Sequence, residues 1–122
     1  MKGEGVLGEK AVTFTDEEAA FLTQSRLARV ATSSLEGQPH VVPVVYEFDG
    51  VAFYFTGWNL EKSLKFQNLV HNKRVAIVID DLVTVSPWRP RGVEVRGVAE
   101  LGSEGGRSYV KVCPRVKRSW GF

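Results

Sequence analysis

The pair Asp49-Gly50 separates two runs dense in β-branched and aromatic residues, His40-Val41-Val42-Pro43-Val44-Val45-Tyr46 and Val51-Ala52-Phe53-Tyr54-Phe55-Thr56. An Asp-Gly pair supplies the positive-φ residues of a tight turn, so in this setting it predicts two antiparallel strands joined as a hairpin. A fold built on local antiparallel pairing follows, and a parallel α/β sheet is excluded from this part of the chain. Pro43 adds a second constraint. It has no N–H to give to a ladder, which predicts a sheet edge, a bulge or an interruption facing a ligand.

The remaining elements fit around that hairpin. Thr15-Asp16-Glu17-Glu18 has the pattern of a capping box and predicts a short helix to about Gln24. From Leu27 the pattern alternates, with Ala28, Val30 and Thr32 on one face and Arg29, Ala31 and Ser33 on the other, as in a half-buried strand. Gly57-Trp58-Asn59 ends the 51–56 strand, and Asn59 is positioned to cap a helix through about Val70 with Leu64, Leu69 and Val70 toward the core. Arg74 to Ile79, Gly92 to Leu101 and Arg107 to Cys113 read as strands, the last two separated by a Gly102–Gly106 turn. Six strands and two short helices result. Hairpin-linked short strands predict a mainly β antiparallel barrel or sandwich, and closure into a barrel would remove exposed edges.

With 122 residues, 43% of them apolar, the chain suffices for one domain with a real core. The expected organisation is a flexible tail over residues 1–13 and a single domain over 14–122. No apolar run approaches the ~18 residues of a membrane span, and the first ten residues mix acids and glycines where a secretory signal would be apolar. Together with a lone cysteine, Cys113, this predicts a cytoplasmic protein with no membrane partner. The net charge of +2 is too small for a dedicated nucleic-acid binder. Its distribution is uneven: residues 1–85 carry eight Lys or Arg against eleven Asp or Glu, and residues 86–122 carry eight against three. The basic C-terminal third reads either as a solvated face or as a site for a small anion.

Candidate chemistry is sparse. Gly3-x-Gly5-x-x-Gly8 matches a dinucleotide fingerprint in letters only, because no strand precedes it and no helix follows. His40, His71 and Cys113 lack metal-site spacing, so no metal and no catalytic dyad is expected. Two segments are more informative. In Thr56-Gly57-Trp58-Asn59-Leu60-Glu61-Lys62-Ser63-Leu64-Lys65, a hydroxyl at a strand end, a glycine turn, a helix start and two lysines can cradle a phosphate, or can simply be a capped helix with solvated lysines. Pro87-Trp88-Arg89-Pro90-Arg91 stiffens a loop that carries an indole between prolines and guanidinium groups, suited to stacking on a flat ring or to a protein interface.

The order of these pieces resembles the split-barrel flavin and deazaflavin enzymes related to pyridoxamine 5′-phosphate oxidase, and most closely their small subgroup that uses the deazaflavin coenzyme F-420. The resemblance runs from Phe14 to Phe122. It rests on Arg29-Val30-Ala31-Thr32, Gly37-x-Pro39-His40-Val41-x-Pro43-Val44, Asp49-Gly50, Thr56 with Lys62 six residues later, Asn68-Leu69, the 87–97 segment and Ser119-Trp120-Gly121. The resemblance implies a six-stranded split β-barrel that pairs as a homodimer with two cofactor grooves at the interface. It places the cofactor phosphate at Thr56, Gly57, Lys62 and Ser63 with Lys65 nearby, and the tricyclic ring against Val42, Pro43 and Val44. Trp88, Arg89 and Arg91 are the residues expected to close the groove from the second subunit. The implied activity is an oxidoreductase in which reduced F-420 gives a hydride to a small unsaturated substrate. The alternatives are an FMN-dependent enzyme of the same fold and a non-catalytic flavin- or deazaflavin-binding protein. The C-terminal Arg-x-His with which pyridoxamine phosphate oxidases hold their vitamer is missing here, which argues against that particular activity.

Overall fold

Residues 11–122 are described by a computed structural model. Helix α1, Asp16–Gln24, begins where the sequence places it: the Thr15 hydroxyl accepts from the Glu18 N–H at 3.1 Å, and the Glu18 carboxylate accepts from the Thr15 N–H at 2.9 Å. The helix buries Glu18, Phe21 and Leu22. Strand β1, Leu27–Ser33, follows with Ala28, Val30 and Thr32 buried, the alternation read from the sequence. Strand β2, Pro39–Val45, pairs with β1 in antiparallel register, Arg29 opposite Pro43.

Here the structure departs from the expected hairpin. The 40–46 run ends at Val45 because Tyr46 turns inward, buried, and its phenol donates to the Leu22 carbonyl at 2.6 Å. A two-residue strand, β3 (Glu47–Phe48), resumes the pairing with β4 (Phe53–Phe55), which makes seven strands where six were expected. The connection is a four-residue loop, not a two-residue turn. Asp49 Oδ1 accepts from the N–H groups of Val51 and Ala52 at 2.8 and 2.7 Å, and Gly50 takes φ +97°. Val51, read as a strand residue, is exposed there.

After β4 comes a 3₁₀ turn, Leu60–Lys62, and then helix α2, Leu64–His71. Asn59 sits before the turn in the left-handed region (φ 55°, ψ 41°) and caps nothing with its side chain; the cap of α2 is Ser63, whose hydroxyl accepts from the Phe66 N–H at 3.3 Å. The register of α2 therefore differs from the expected one. Leu69 is buried, whereas Leu64 and Val70 are exposed, and the other buried position is Asn68, whose amide donates to Thr32 Oγ1 at 3.0 Å.

The last three strands are longer than expected: β5 Arg74–Thr84, β6 Arg89–Glu104 and β7 Arg107–Trp120. Their polar ends stay paired because cross-strand neighbours complement one another. Asp81 stands opposite Arg91 and takes two hydrogen bonds from it, at 2.8 and 3.0 Å. The expected 102–106 turn contracts to Gly105-Gly106, both at positive φ, between the paired Glu104 and Arg107.

The strand order is β2-β1-β5-β6-β7-β4-β3 in one antiparallel sheet. The two edge strands, β2 and β3, are consecutive in sequence and separated only by Tyr46, so the sheet must curl until its edges meet. The result is a mainly β half-barrel with two helices. Pro43 lies on the edge strand, as its missing N–H requires. The interior is lined by Val30, Phe53, Val93, Val95, Val110 and Val112 with Phe21, Leu22 and Leu69 from the helices, each contributing about 1.5–3 kcal/mol by burial. No helix among the described residues is long and apolar enough to cross a membrane. The Gly3–Gly8 motif and most of the proposed tail lie outside the described residues, but the Thr13 carbonyl already accepts from Lys117 Nζ at 2.8 Å.

Candidate functional site

Where the sheet edges approach each other, a groove of about 640 Å³ opens, a volume suited to a small organic ligand. One wall is the edge strand, Pro43, Val44 and Val45, continued by Tyr46 and Glu47. The other is Tyr54 and Phe55 of β4, running into Thr56, Gly57 and Trp58 at the strand end. Lys65 of α2 and Arg107 of β7 bring two cations to that same end. The groove thus has an apolar flank formed by a proline-bearing edge strand and a cationic, hydroxyl-bearing terminus.

Of the residues singled out in the sequence, Pro43, Val44, Thr56, Gly57 and Lys65 are gathered in this groove. Val42, the neighbour of Pro43, turns the other way and packs against the core. Lys62 is exposed at the end of the 3₁₀ turn and Ser63 uses its hydroxyl locally, donating to the Leu60 carbonyl at 2.6 Å; neither lines the groove. Trp88, Arg89 and Arg91 are on the β5–β6 arm. Trp88 is 68% exposed. Arg91 is held by Asp81 and its guanidinium lies 4.8 Å from the centre of the Phe21 ring.

Six groove residues were not anticipated, Val45, Tyr46, Glu47, Tyr54, Phe55 and Arg107, and Trp58 was singled out only as part of the turn segment. Arg107 is the most instructive. It is distant in sequence from Thr56, yet the Gly105-Gly106 turn swings it to within 3.5 Å of the Thr56 hydroxyl. Only the pairing of β7 with β4 makes them neighbours, and no local pattern signals that. Tyr54 is fixed on the groove wall by its bond to Asp49 Oδ2 at 2.9 Å. Asp49 is held below the usual carboxylate range, chiefly by the Ala52 N–H and also by that of Val51, and the hydrogen bond Tyr54 donates to it pushes the Tyr54 phenol above its ordinary value. The Tyr46 phenol is pushed up to about 12 by burial. Both tyrosines therefore remain protonated across the physiological range. Among the described residues no group of three or more His, Cys, Asp or Glu could hold a metal ion.

A curled antiparallel half-barrel with a groove at its meeting edges defines the split-barrel class of small-molecule-binding domains. The chain belongs to the pyridoxamine 5′-phosphate oxidase family, whose model matches residues 14–119. It is 34% identical over 119 residues to a 5a,11a-dehydrotetracycline/5a,11a-dehydrooxytetracycline reductase of Streptomyces rimosus, covering 89% of this chain and 84% of that one. A solved conserved hypothetical protein of Mycobacterium tuberculosis is similar at 26% identity, with a TM-score of 0.76 over 93% of this chain and 89% of the other. A solved F-420 reductase shares the fold at 21% identity, with a TM-score of 0.70 over 86% and 98%. Kinship with a reductase places the chain among the oxidoreductases of its family.

Proposed function

We propose that the chain is a reductase that uses the deazaflavin coenzyme F-420 to reduce a small unsaturated molecule. The observation that carries this reading is the groove itself, an apolar strand edge at Pro43-Val44 leading to Thr56, Gly57, Lys65 and Arg107. The donor set fits a flat ring joined to a phosphate: the aliphatic edge offers a dry face to the ring, and two cations with a hydroxyl offer charge-assisted contacts to the anion. When bound, the reduced coenzyme supplies the hydride. The chain's own residues bind, orient and exclude water. Val44 and Phe55, both buried, keep solvent from the groove floor, while Tyr54, locked to Asp49, fixes the width of the opposite wall. Val42, Lys62 and Ser63 flank this set and complete the proposed cofactor-binding residues.

In this reading a second copy of the chain closes the groove. The β5–β6 arm carries exposed Leu82, Val83, Val85 and Trp88, an apolar surface that a homodimer would cover, with Arg89 and Arg91 beside it. The S. rimosus relative supports an unsaturated substrate, since its named substrates are dehydro compounds. Equilibrium titration of the purified chain with F-420 and with FMN tests the cofactor assignment. Saturable F-420 binding, at least tenfold tighter than FMN, is the expected result; preference for FMN would move the chain to a flavin reading of the same fold.

A further inference from the structure

The polar groups of the groove are segregated. Thr56, Lys65 and Arg107 stand at one end, and among the described residues of the wall the one carboxylate is Glu47, on the edge strand β3. Glu47 pairs across the sheet with Tyr54, so the two side chains share one face. Thr56 follows Tyr54 by two residues, roughly 7 Å along an extended chain, which sets the Glu47 end apart from the two cations. We propose that this end is a seat for a protonated amine, and hence that the unsaturated molecule reduced in the groove carries a basic nitrogen; the second step rests on the reading of the groove as a reductase site.

Three observations support the seat. Glu47 is exposed and meets no hydrogen-bond donor or cation among the described residues, so its carboxylate is available to a ligand. The Tyr54 phenol commits its only proton to Asp49 Oδ2 at 2.9 Å, and Asp49 is kept ionised by the Ala52 and Val51 N–H groups, so toward the groove the phenol oxygen can only accept. The cation beside Tyr54, Lys111, has its Nζ 5.9 Å from the ring centre; it lies on the β7 side and is drawn to Glu100 at 3.9 Å. Glu47, Asp49 and Glu100 outnumber it, which makes the local field negative. An ammonium group brings charge and N–H donors to two acceptors that have no proton of their own to offer. A carboxylate or phenolate placed there would meet acceptors only, so the same pair that attracts an amine rejects an anion.

The test uses the chain loaded with oxidised F-420, which has no hydride to give, and two probes of equal size: a cyclohexenone bearing a pyrrolidinylmethyl group, protonated at neutral pH, and its neutral cyclopentylmethyl counterpart. Calorimetric titration of wild type should show the ammonium probe binding about tenfold more tightly or better. Glu47→Gln keeps the size of the side chain and removes its charge. It should bring the two probes within about twofold of each other and leave F-420 affinity within about twofold of wild type, with circular dichroism and a melting curve showing that the variant is folded. With reduced F-420, the same variant should raise KM for the ammonium probe about tenfold and leave kcat within about twofold. Equal affinity of wild type for the two probes would overturn the proposal; a guanidinium of the second copy seated on Glu47 would give that result. A preference that survives in folded Glu47→Gln would also overturn it, as would a loss of F-420 affinity of about tenfold in that variant, which would assign Glu47 to the coenzyme. Titration of the chain without coenzyme separates the two readings. A preference for the ammonium probe in a chain that binds no F-420 would overturn the cofactor reading and leave the seat standing, and F-420 binding without the preference would do the reverse.

Discussion

At the scale of single residues, the molecule is most dependent on side chains whose roles combine charge with burial. Glu18 is buried and receives hydrogen bonds from Lys117 Nζ at 2.8 Å, from the Ser119 hydroxyl and from the Thr15 N–H, so it ties α1 to the end of β7. Burial pushes its carboxyl up, but these bonds and the Lys117 charge outweigh that and hold it below its ordinary value of 4.5. Because the folded-state value is depressed, the stabilisation is complete above 4.5 and is lost as pH falls through the folded-state value. Urea denaturation across pH 3 to 7 should show this acid limb, and Glu18→Gln should flatten it. At neutral pH, Glu18→Ala should cost about 3 kcal/mol, since it removes the carboxylate that pairs with Lys117 and accepts from the Thr15 N–H and the Ser119 hydroxyl. Gly97 is constrained by space instead. At the β6 bulge an added Cβ would come within 2.1 Å of the Cys113 carbonyl oxygen, a backbone atom. Gly97→Ala should therefore cost more than about 2 kcal/mol in the same assay, against a few tenths for a typical surface change.

At the scale of elements, local signals were legible wherever one short segment determined the outcome. The capping box of α1 and the alternation of β1 are examples, because Thr15 with Glu18 and Ala28-Val30-Thr32 act within a few residues of one another. Pro43 was likewise informative, since its missing donor forces the edge position. Legibility ended where a distant partner intervened. Tyr46 breaks the expected strand because its phenol finds the Leu22 carbonyl, and the charged ends of β5 and β6 stay paired because Asp81 meets Arg91. The groove divides in the same way. Thr56 and Gly57 were readable from a strand end and a turn, whereas Arg107 arrives through the pairing of β7 with β4. The start of α2 gives a measurable case: Ser63, not Asn59, carries the cap, so Ser63→Ala should lower stability by about 1 kcal/mol, while Asn59→Gly, which keeps the left-handed backbone and removes no cap bond, should change it by much less. Melting curves of the two variants would distinguish them, and equal losses would contradict the assignment.

At the scale of the whole molecule, the curl of one sheet explains why a groove exists: β2 and β3 are adjacent in sequence yet form opposite edges, so the barrel closes imperfectly beside Tyr46. The exposed apolar arm at Leu82, Val83, Val85 and Trp88 predicts self-association. Light scattering at micromolar concentration should give a dimer mass, and Trp88→Glu should shift it toward the monomer; a monomeric wild type would remove the second copy from the site. The central claim is that the groove supports hydride transfer to an unsaturated molecule. Its most direct measurement is anaerobic incubation of the chain with F-420 reduced by deuteride and a panel of enones and quinones, followed by mass spectrometry of the products. The account predicts a protein-dependent reduced product carrying one deuterium from an enone. Product formed at the rate of the protein-free control, or enone product bearing no label, would contradict it.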